Sequence, residues 1–345
     1  MLTIRELNYK DNEQWDCLVR ESDETYFHHQ LHWKMFIESQ YPKLLTPVYL
    51  IARNGTEIEG VLPLFRFKHR FFGKRLISIP FSTHGGCCAR TKEATEALVK
   101  RAIQLAQESN ADHLELRGLQ QYSMPELVAD DTYFTLKLKL EPDFKQLQKK
   151  IRATTRRYIR RSEENDFVIK LFSDDLDAFF KLYSIGQRNL GTPSTGYRYL
   201  KNLIENFKSE HHFALAYHKQ KLVAGILLRD YKQTATYVLG ASLLEYRQLY
   251  PNYRLFNEVL KHYSAQGFQW FDFGRSIEDS GTYFFKRGWG AEPLQFHYHF
   301  FLNARKHIPG TSQASPKRVM FANVWKRLPL PVATTLGPAI RRYFP

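Results

Sequence analysis

The chain of 345 residues has few cysteines and no long apolar segment. Three cysteines, Cys17, Cys87 and Cys88, are too few for a disulfide framework, and no ligand spacing is typical of a metal site. No run of about 18 apolar residues occurs, as a transmembrane helix requires, and the first residues lack the apolar core of a secretion signal. We therefore expect free thiols, no metal, and a cytoplasmic protein that is either free or peripheral on the inner face of the plasma membrane.

Acidic residues are also scarce relative to basic ones. Fifty Lys and Arg against 35 Asp and Glu leave a net charge of +15. This excess favours anionic partners, such as tRNA, a phosphorylated substrate or an anionic membrane surface, without choosing among them. The 43% hydrophobic content is that of a globular protein, and the length predicts two domains.

The order of the predicted elements repeats along the chain. A hairpin around Asn54-Gly55 is followed by a helix over 93–109 and a strand over 113–117, and a hairpin over 213–228 is followed by a helix and a strand in the same order. This repeat predicts an α/β (α+β) protein of two similar domains. The predicted segments are a first domain over 1–145, a basic connecting helix over 146–165, a second domain over 166–304 and a C-terminal tail over 305–345.

The connecting segment is strongly basic, with seven Lys or Arg between Lys149 and Arg161. Helical spacing places four cationic side chains on one stripe and three apolar ones opposite. The stripe comprises Lys149, Arg152, Arg156 and Arg160, and the apolar face comprises Leu147, Ile151 and Tyr158. Two interpretations stay open: a solvated linker helix, or a helix that binds phosphate groups.

The tail begins with a loop predicted between Pro309 and Pro316. Beyond it, Phe321 and Trp325 lie among cationic residues such as Lys326 and Arg327. This mixture is typical of a helix that packs back on the protein and equally of a membrane interface. We favour packing of the tail on the first domain.

Two neighbouring strings carry the strongest functional signal. An apolar strand ends in Phe271-Asp-Phe-Gly-Arg-Ser276, and Gly281-Thr-Tyr-Phe-Phe-Lys-Arg-Gly-Trp-Gly290 follows. Polar groups at the end of a buried strand can face a ligand while the sheet holds them rigid. The alternative is a salt bridge between Asp272 and Arg275 that closes a tight turn.

These strings, together with Arg188–Pro193 and Tyr250–Phe256, resemble the FemAB-related tandem-GNAT proteins, in particular the exopolysaccharide- and exosortase-associated branch with its BioF2-like acetyltransferase domain. The resemblance implies two tandem GNAT-like domains of the acyl-CoA N-acyltransferase fold. It also implies transfer of an acyl or aminoacyl group to an amine of a cell-envelope or exopolysaccharide precursor. The donor would be acyl-CoA or aminoacyl-tRNA, neither of them a tightly bound cofactor, and the acceptor a phosphorylated or lipid-linked sugar or peptide.

One segment departs from the pattern of acetyl-CoA-dependent relatives. Their pyrophosphate site is a glycine-rich turn that opens a helix, where backbone amides meet phosphate. The corresponding segment here, Gln248–Arg254, has no glycine, and Pro251 lacks an N–H. The departure favours a tRNA-type donor, or the loss of donor binding, over conventional CoA binding.

Three residues are candidates for catalysis. Asp272 would orient or deprotonate the amine, or else stabilise its turn. Tyr237 lies on the strand that in this fold splays to admit the donor, although a core tyrosine is the alternative. His84 has a suitable intrinsic pKa for a base, although lone histidines are usually not catalytic.

Seven further residues are predicted to bind substrate. Arg275 and Lys286 would hold a phosphate, with an ordinary surface lysine as the alternative for Lys286. Arg188 and Thr192 would form one wall of the acceptor pocket, with a helix-terminating loop as the alternative. The remaining members of the set are Asn252, Ser276 and Tyr283, with helix capping as the alternative role of Asn252. Two other functions compete with transfer: a non-catalytic nucleic-acid or polyanion-binding protein, and a peripheral membrane scaffold of the polysaccharide machinery.

Overall fold

The computed structural model describes residues 2–309 and 316–345, so the loop expected between Pro309 and Pro316 falls largely outside the described residues. The chain divides into two compact units. The first comprises Met1–Tyr133, Gln295–Thr311 and Pro345, and the second comprises Phe134–Leu294 and Ser312–Phe344.

The first unit is built from two sheets and three α-helices. Its strands are β1 (Leu2–Glu6), β2 (Leu45–Pro47), β3 (Leu50–Asn54), β4 (Glu57–Leu62), β5 (Phe65–His69), β6 (Gly73–Ile77), β7 (Cys88–Ala89), β8 (His113–Leu116), β9 (Val128–Asp130) and β17 (Tyr298–Leu302). Its helices are α1 (Asn12–Glu21), α2 (Leu31–Gln40) and α3 (Lys92–Glu108). One sheet has the order β1-β3-β4-β7, and the other has the order β2-β5-β6-β8-β17-β9.

The second unit is built around one seven-stranded sheet of order β11-β12-β13-β14-β15-β10-β16. Its strands are β10 (Tyr133–Lys139), β11 (Phe167–Ser173), β12 (His211–His218), β13 (Lys221–Tyr231), β14 (Thr234–Ser242), β15 (Trp270–Ile277) and β16 (Glu292–Gln295). Its helices are α4 (Phe144–Lys150), α5 (Ala153–Glu163), α6 (Leu176–Leu190), α7 (Tyr197–Asn206), α8 (Pro251–Ala265), α9 (Gly281–Gly288), α10 (Pro316–Lys326) and α11 (Leu330–Arg341).

The hairpin predicted around Asn54-Gly55 is confirmed. Strands β3 and β4 pair antiparallel, and Gly55 closes their turn with a φ of 60°. A positive φ at this point is the conformation that glycine adopts without a Cβ clash, which explains why the sequence signal was strong.

Strands β14 and β15 part in the middle of the second sheet. They pair in parallel only from Thr234 opposite Trp270 to Thr236 opposite Asp272. Both strands then continue, β14 to Ser242 and β15 to Ile277, without further pairing to each other. The two strands therefore part beyond Tyr237 and Gly274, which still lie side by side.

Two strands belong to a different unit from the one that the predicted domain boundaries assign them to. Strand β10 lies inside the range predicted for the first domain but belongs to the second sheet, between β15 and β16. Strand β17 lies inside 166–304 but belongs to a sheet of the first unit, between β8 and β9. Strand pairing joins distant parts of the chain, so local patterns in the sequence carry no signal of this exchange.

The predicted connecting helix is interrupted. It consists of α4 and α5, with Arg152 in an extended conformation (ψ 146°) between them. The Arg152 N–H donates to the Gly288 carbonyl instead of continuing the helix. Lys149 and the arginines of α5 therefore do not form one continuous stripe.

The tail helices pack on the second unit, although the sequence pattern favoured the first. Both α10 and α11 contact α6. Gly191 lies against Ala322, and Gly196 lies against Pro338, with no room for a Cβ at either glycine. The missing Cβ at each glycine lets the backbones approach closely, and this close approach allows the tail helices to dock there. None of the helices in the described ranges combines the length and the apolar character needed to traverse a bilayer.

Candidate active site

A cavity of about 700 Å³ lies in the second unit where β14 and β15 part. Residues of both strands line it, together with residues of α5, α6, α8 and α9. Tyr237, Asn252 and Lys286, three of the residues singled out from the sequence, are among them. The cavity is thus the place where the sequence signals and the parted strands coincide.

Lys286 is buried, with 6% of the side chain exposed. Its Nζ donates hydrogen bonds to the carbonyl oxygens of Gly274 (2.9 Å) and Arg275 (3.0 Å). The same atom lies 6.0 Å from the centre of the Tyr237 ring. An ammonium has three donors, so the two carbonyls hold the group in place and one N–H is left for the cavity.

Burial shifts the pKa of both side chains. It lowers the pKa of Lys286 to about 8, against the negative charge of Asp272, which favours the protonated form. Burial also raises the pKa of Tyr237 to about 12. At neutral pH both groups therefore carry their protons, and they can donate hydrogen bonds but cannot act as bases.

Asp272 does not line the cavity. Its carboxylate is buried, and Oδ1 accepts hydrogen bonds from the Thr135 hydroxyl (2.6 Å) and from the Gly274 N–H (2.8 Å). Gly274 has a φ of 69°, and a Cβ added there would lie 3.2 Å from the Tyr237 carbonyl oxygen. The Asp272 carboxylate thus stabilises the turn whose Gly274 carbonyl accepts a hydrogen bond from Lys286. This arrangement matches the turn-stabilising alternative, since Asp272 does not face an amine in the cavity.

The other predicted residues of this segment also lie outside the cavity lining. The side chain of Arg275 is exposed, whereas Phe273 and Ser276 on the same strand are buried. Ser276 donates to the Thr282 hydroxyl at 3.4 Å. Tyr283 is buried, and its ring packs edge-on against Phe134.

The residues predicted to form an acceptor wall are dispersed. Arg188 is half-buried in the last turn of α6 and donates to the Asn189 side chain at 3.2 Å; Asn189 lines the cavity and Arg188 does not. Thr192 is exposed beyond the end of α6. Asn252 lies inside the first turn of α8, where its amide donates to the Ser242 hydroxyl at 3.1 Å. The N-cap of α8 is Tyr250, so Asn252 does not cap that helix.

His84 belongs to the first unit and is not among the residues that line this cavity. It is buried, its Nδ1 lies 2.7 Å from the Thr83 hydroxyl, and its ring meets Tyr26 edge-on at 3.9 Å. These contacts are those of a packed core histidine.

Aromatic and basic residues around the cavity were missed as a site by the sequence analysis. Tyr158 stacks on Tyr250 with ring centres 4.8 Å apart and planes at 17°, and Tyr253 packs beside both. These three tyrosines line the cavity together with Arg152 and Arg247. The signal was present as tyrosines interleaved with arginines in two distant segments, but only folding brings the segments together.

The start of α8 is not shaped as a glycine turn. Tyr250 occupies the left-handed region, with φ 60° and ψ 40°, and Pro251 has no N–H. The N–H groups of Tyr253 and Arg254 both donate to the Tyr250 carbonyl. The first-turn amides that a pyrophosphate would need are in these cases absent or already bonded.

Comparison with known proteins identifies the fold. Residues 149–287 match the sequence model of an acetyltransferase (GNAT) domain. The chain is similar to the crystal structure of FemX, with a TM-score of 0.64 and 14% identity over 87% of this chain and 98% of that one. No curated protein matches the sequence.

Two further structures share this architecture. One is the C-terminal domain of a putative lysylphosphatidylglycerol synthetase from Agrobacterium fabrum, with a TM-score of 0.58 and 13% identity over 85% of this chain and 92% of that one. The other is a tandem GNAT protein from the clavulanic acid biosynthesis pathway, with a TM-score of 0.55 and 14% identity over 89% of this chain and all (100%) of that one. The expected fold class is thereby confirmed: the chain has the fold of FemX and of a tandem GNAT protein, and residues 149–287 match an acetyltransferase (GNAT) domain.

Proposed function

We propose that this protein transfers an acyl or aminoacyl group to an amine in the cavity of the second unit. The observation that carries the proposal is the parting of β14 and β15 beside the buried Lys286 ammonium. A gap between parted strands admits an extended donor, and a fixed cation in a desolvated site can stabilise the negative charge that develops on its carbonyl oxygen.

Lys286 is assigned to the carbonyl oxygen of the donor. The sequence analysis assigned Lys286 and Arg275 to one phosphate, but the Arg275 side chain is exposed and does not line the cavity. A single lysine with two donors already on backbone carbonyls matches the one developing charge of an oxyanion better than a phosphate dianion.

The reaction then proceeds by direct transfer. The neutral amine attacks the carbonyl carbon, a C–N bond forms, and the C–O or C–S bond to the leaving group breaks. Tyr237, whose pKa is raised to about 12, donates a proton to a leaving oxygen and is reprotonated from solvent, whereas a leaving sulfur departs as the thiolate. The described residues of the lining include no carboxylate or imidazole, so the amine enters neutral and loses its proton to solvent after the attack.

The aromatic and basic residues that line the cavity, here called its rim, support aminoacyl-tRNA as the donor; they are Tyr158, Tyr250, Tyr253, Arg152 and Arg247. Tyrosines interleaved with arginines are typical of surfaces that stack the bases and neutralise the phosphates of single-stranded nucleic acid. The start of α8 lacks the glycine turn of a CoA site, as described above. For the acceptor, we propose a cell-envelope or exopolysaccharide precursor that carries a phosphate or a lipid. The similar structure of a putative lysylphosphatidylglycerol synthetase supports a lipid-linked acceptor, since its named product joins a lysyl group to a phospholipid.

Two measurements test this function. Purified protein is mixed with hydroxylamine and either aminoacyl-tRNA or acetyl-CoA, and the hydroxamate formed in excess of a protein-free control is quantified. We expect Lys286-dependent product from aminoacyl-tRNA, with Lys286→Met inactive and Lys261→Met, a change of an exposed lysine on α8, active. Mass spectrometry of envelope precursors from cells with and without the protein then identifies the acceptor.

The competing function, a non-catalytic polyanion-binding protein, is supported by the same aromatic and basic rim. It predicts salt-dependent tRNA binding without hydroxamate and without any mass difference between the precursor pools. Equal hydroxamate yields with wild type and Lys286→Met would likewise contradict the proposed chemistry.

A further inference from the structure

The C-terminal tail has an unusual charge distribution. No Asp or Glu follows Glu292, whereas residues 305–345 contain eight Lys or Arg. Lys326 and Arg327, at the end of α10, are exposed. A segment with eight basic and no acidic side chains favours anionic partners over cationic ones.

Helix α10 is apolar on two faces. Its inner face places Trp325, which is buried, and Ala322 against the second unit. Its outer face exposes 50% of Val319, 65% of Met320 and 58% of Val324. Helix α11 repeats the arrangement, with Ala333 and Gly337 buried and two apolar residues, Val332 and Leu336, exposed. Exposed apolar residues grouped on neighbouring elements mark an interaction surface.

This apolar surface reaches the cavity. Leu190, the last residue of α6, is 68% exposed and is one of the residues that line the cavity. The next residue, Gly191, is in contact with Ala322 of α10. Leu244 and Phe284, which also line the cavity, are exposed as well. Exposed apolar side chains are therefore present both on α10 and at the cavity, and the end of α6 contacts α10.

We propose that the outer faces of α10 and α11 bind the surface of an anionic lipid bilayer. The apolar side chains enter the headgroup region, and the flanking lysines and arginines contact the anionic headgroups. A second copy of the chain does not fit this surface as well, because two tails without a carboxylate would repel each other. The proposal of membrane binding does not depend on the proposed chemistry. Only the idea that the membrane brings a lipid-linked acceptor to the cavity rests on the proposed function.

Vesicle sedimentation tests the surface directly. The full-length protein is mixed with vesicles of phosphatidylcholine alone or of phosphatidylcholine with phosphatidylglycerol. We expect binding to the anionic vesicles only, and weaker binding as salt is raised. The double variant Met320→Glu/Val324→Glu should lower the partition coefficient by roughly 100-fold. Each substitution removes one apolar side chain, whose burial in the bilayer contributes a factor of about ten to the partition coefficient.

A control variant distinguishes binding through this surface from nonspecific adsorption to vesicles. Phe71 is 82% exposed in the first unit, so Phe71→Glu adds the same kind of charge elsewhere and should leave vesicle binding unchanged. Both variants should keep the wild-type melting temperature, because the altered side chains are exposed. Equal binding of the double variant and wild type would overturn the proposal. Wild-type protein that stays in the supernatant with every vesicle would also overturn it. The same holds if the wild type is a dimer, the double variant is a monomer, and both bind vesicles equally. Loss of vesicle binding with normal hydroxamate formation would separate this proposal from the proposed function.

Discussion

The depressed pKa of Lys286 predicts how the stability of the protein depends on pH. The folded-state pKa is about 8, against an ordinary value of 10.5. Between these two values the unfolded chain holds the proton and the folded protein does not. Because the unfolded state then binds more protons, the free energy of unfolding rises with pH over this range.

The magnitude follows from the shift. A difference of 2.5 units, from 10.5 to about 8, corresponds to a penalty of about 3 kcal/mol at pH 7, where both states are protonated. By pH ~9.5 most of the folded molecules have lost the proton, and about 2 kcal/mol of the penalty is gone. The group is almost fully buried, so solvent screening removes little of this effect.

The substitution Lys286→Met isolates the effect, since it keeps most of the side-chain volume and removes the charge. Urea unfolding at several pH values gives the free energy of unfolding for wild type and variant. We expect wild type to gain about 2 kcal/mol relative to Lys286→Met between pH 7 and pH ~9.5. The exposed Lys261→Met corrects for the loss of one surface charge. If the difference in the free energy of unfolding between wild type and Lys286→Met does not change with pH, Lys286 is not a desolvated ammonium with a lowered pKa.

Two further predictions concern activity in the hydroxamate assay, and a third concerns the binding of aminoacyl-tRNA. Lys286→Ala should lower kcat by about 100- to 1000-fold with little change in the KM for the donor, as expected for loss of an oxyanion contact; a selective rise in KM would instead support a phosphate-binding role. Asp272→Asn removes the charge that favours protonated Lys286, so the alkaline limb of the pH–rate profile should move to lower pH, and an unchanged limb would count against this coupling. Tyr158→Ala or Tyr250→Ala should weaken binding of aminoacyl-tRNA by about 1–3 kcal/mol, measured by filter binding, whereas Tyr9→Ala, which alters an exposed tyrosine of the first unit, should have no effect.

Local sequence patterns were sufficient for the elements that depend on neighbouring residues. The β3–β4 hairpin follows from a turn that needs positive φ, and α8 and β15 follow from their apolar periodicity. Lys286 was predicted because it lies in a string that resembles those of a known family, and Tyr237 because of the strand on which that fold places it; both line the cavity. The turn and periodicity signals each depend on residues that are close together along the chain.

The tertiary structure alone decided the strand exchange and the membership of the site. The sheets take β10 and β17 from outside their predicted domains, because strand pairing is a contact between distant segments. The same applies to the stacked pair of Tyr158 and Tyr250, which are far apart in sequence. The sequence predicted Asp272 and Arg275 as members of one site, but neither lines the cavity, because the sequence does not say which residues of a strand meet it. That choice depends on where β14 leaves β15, and the departure of the two strands is a property of the folded sheet.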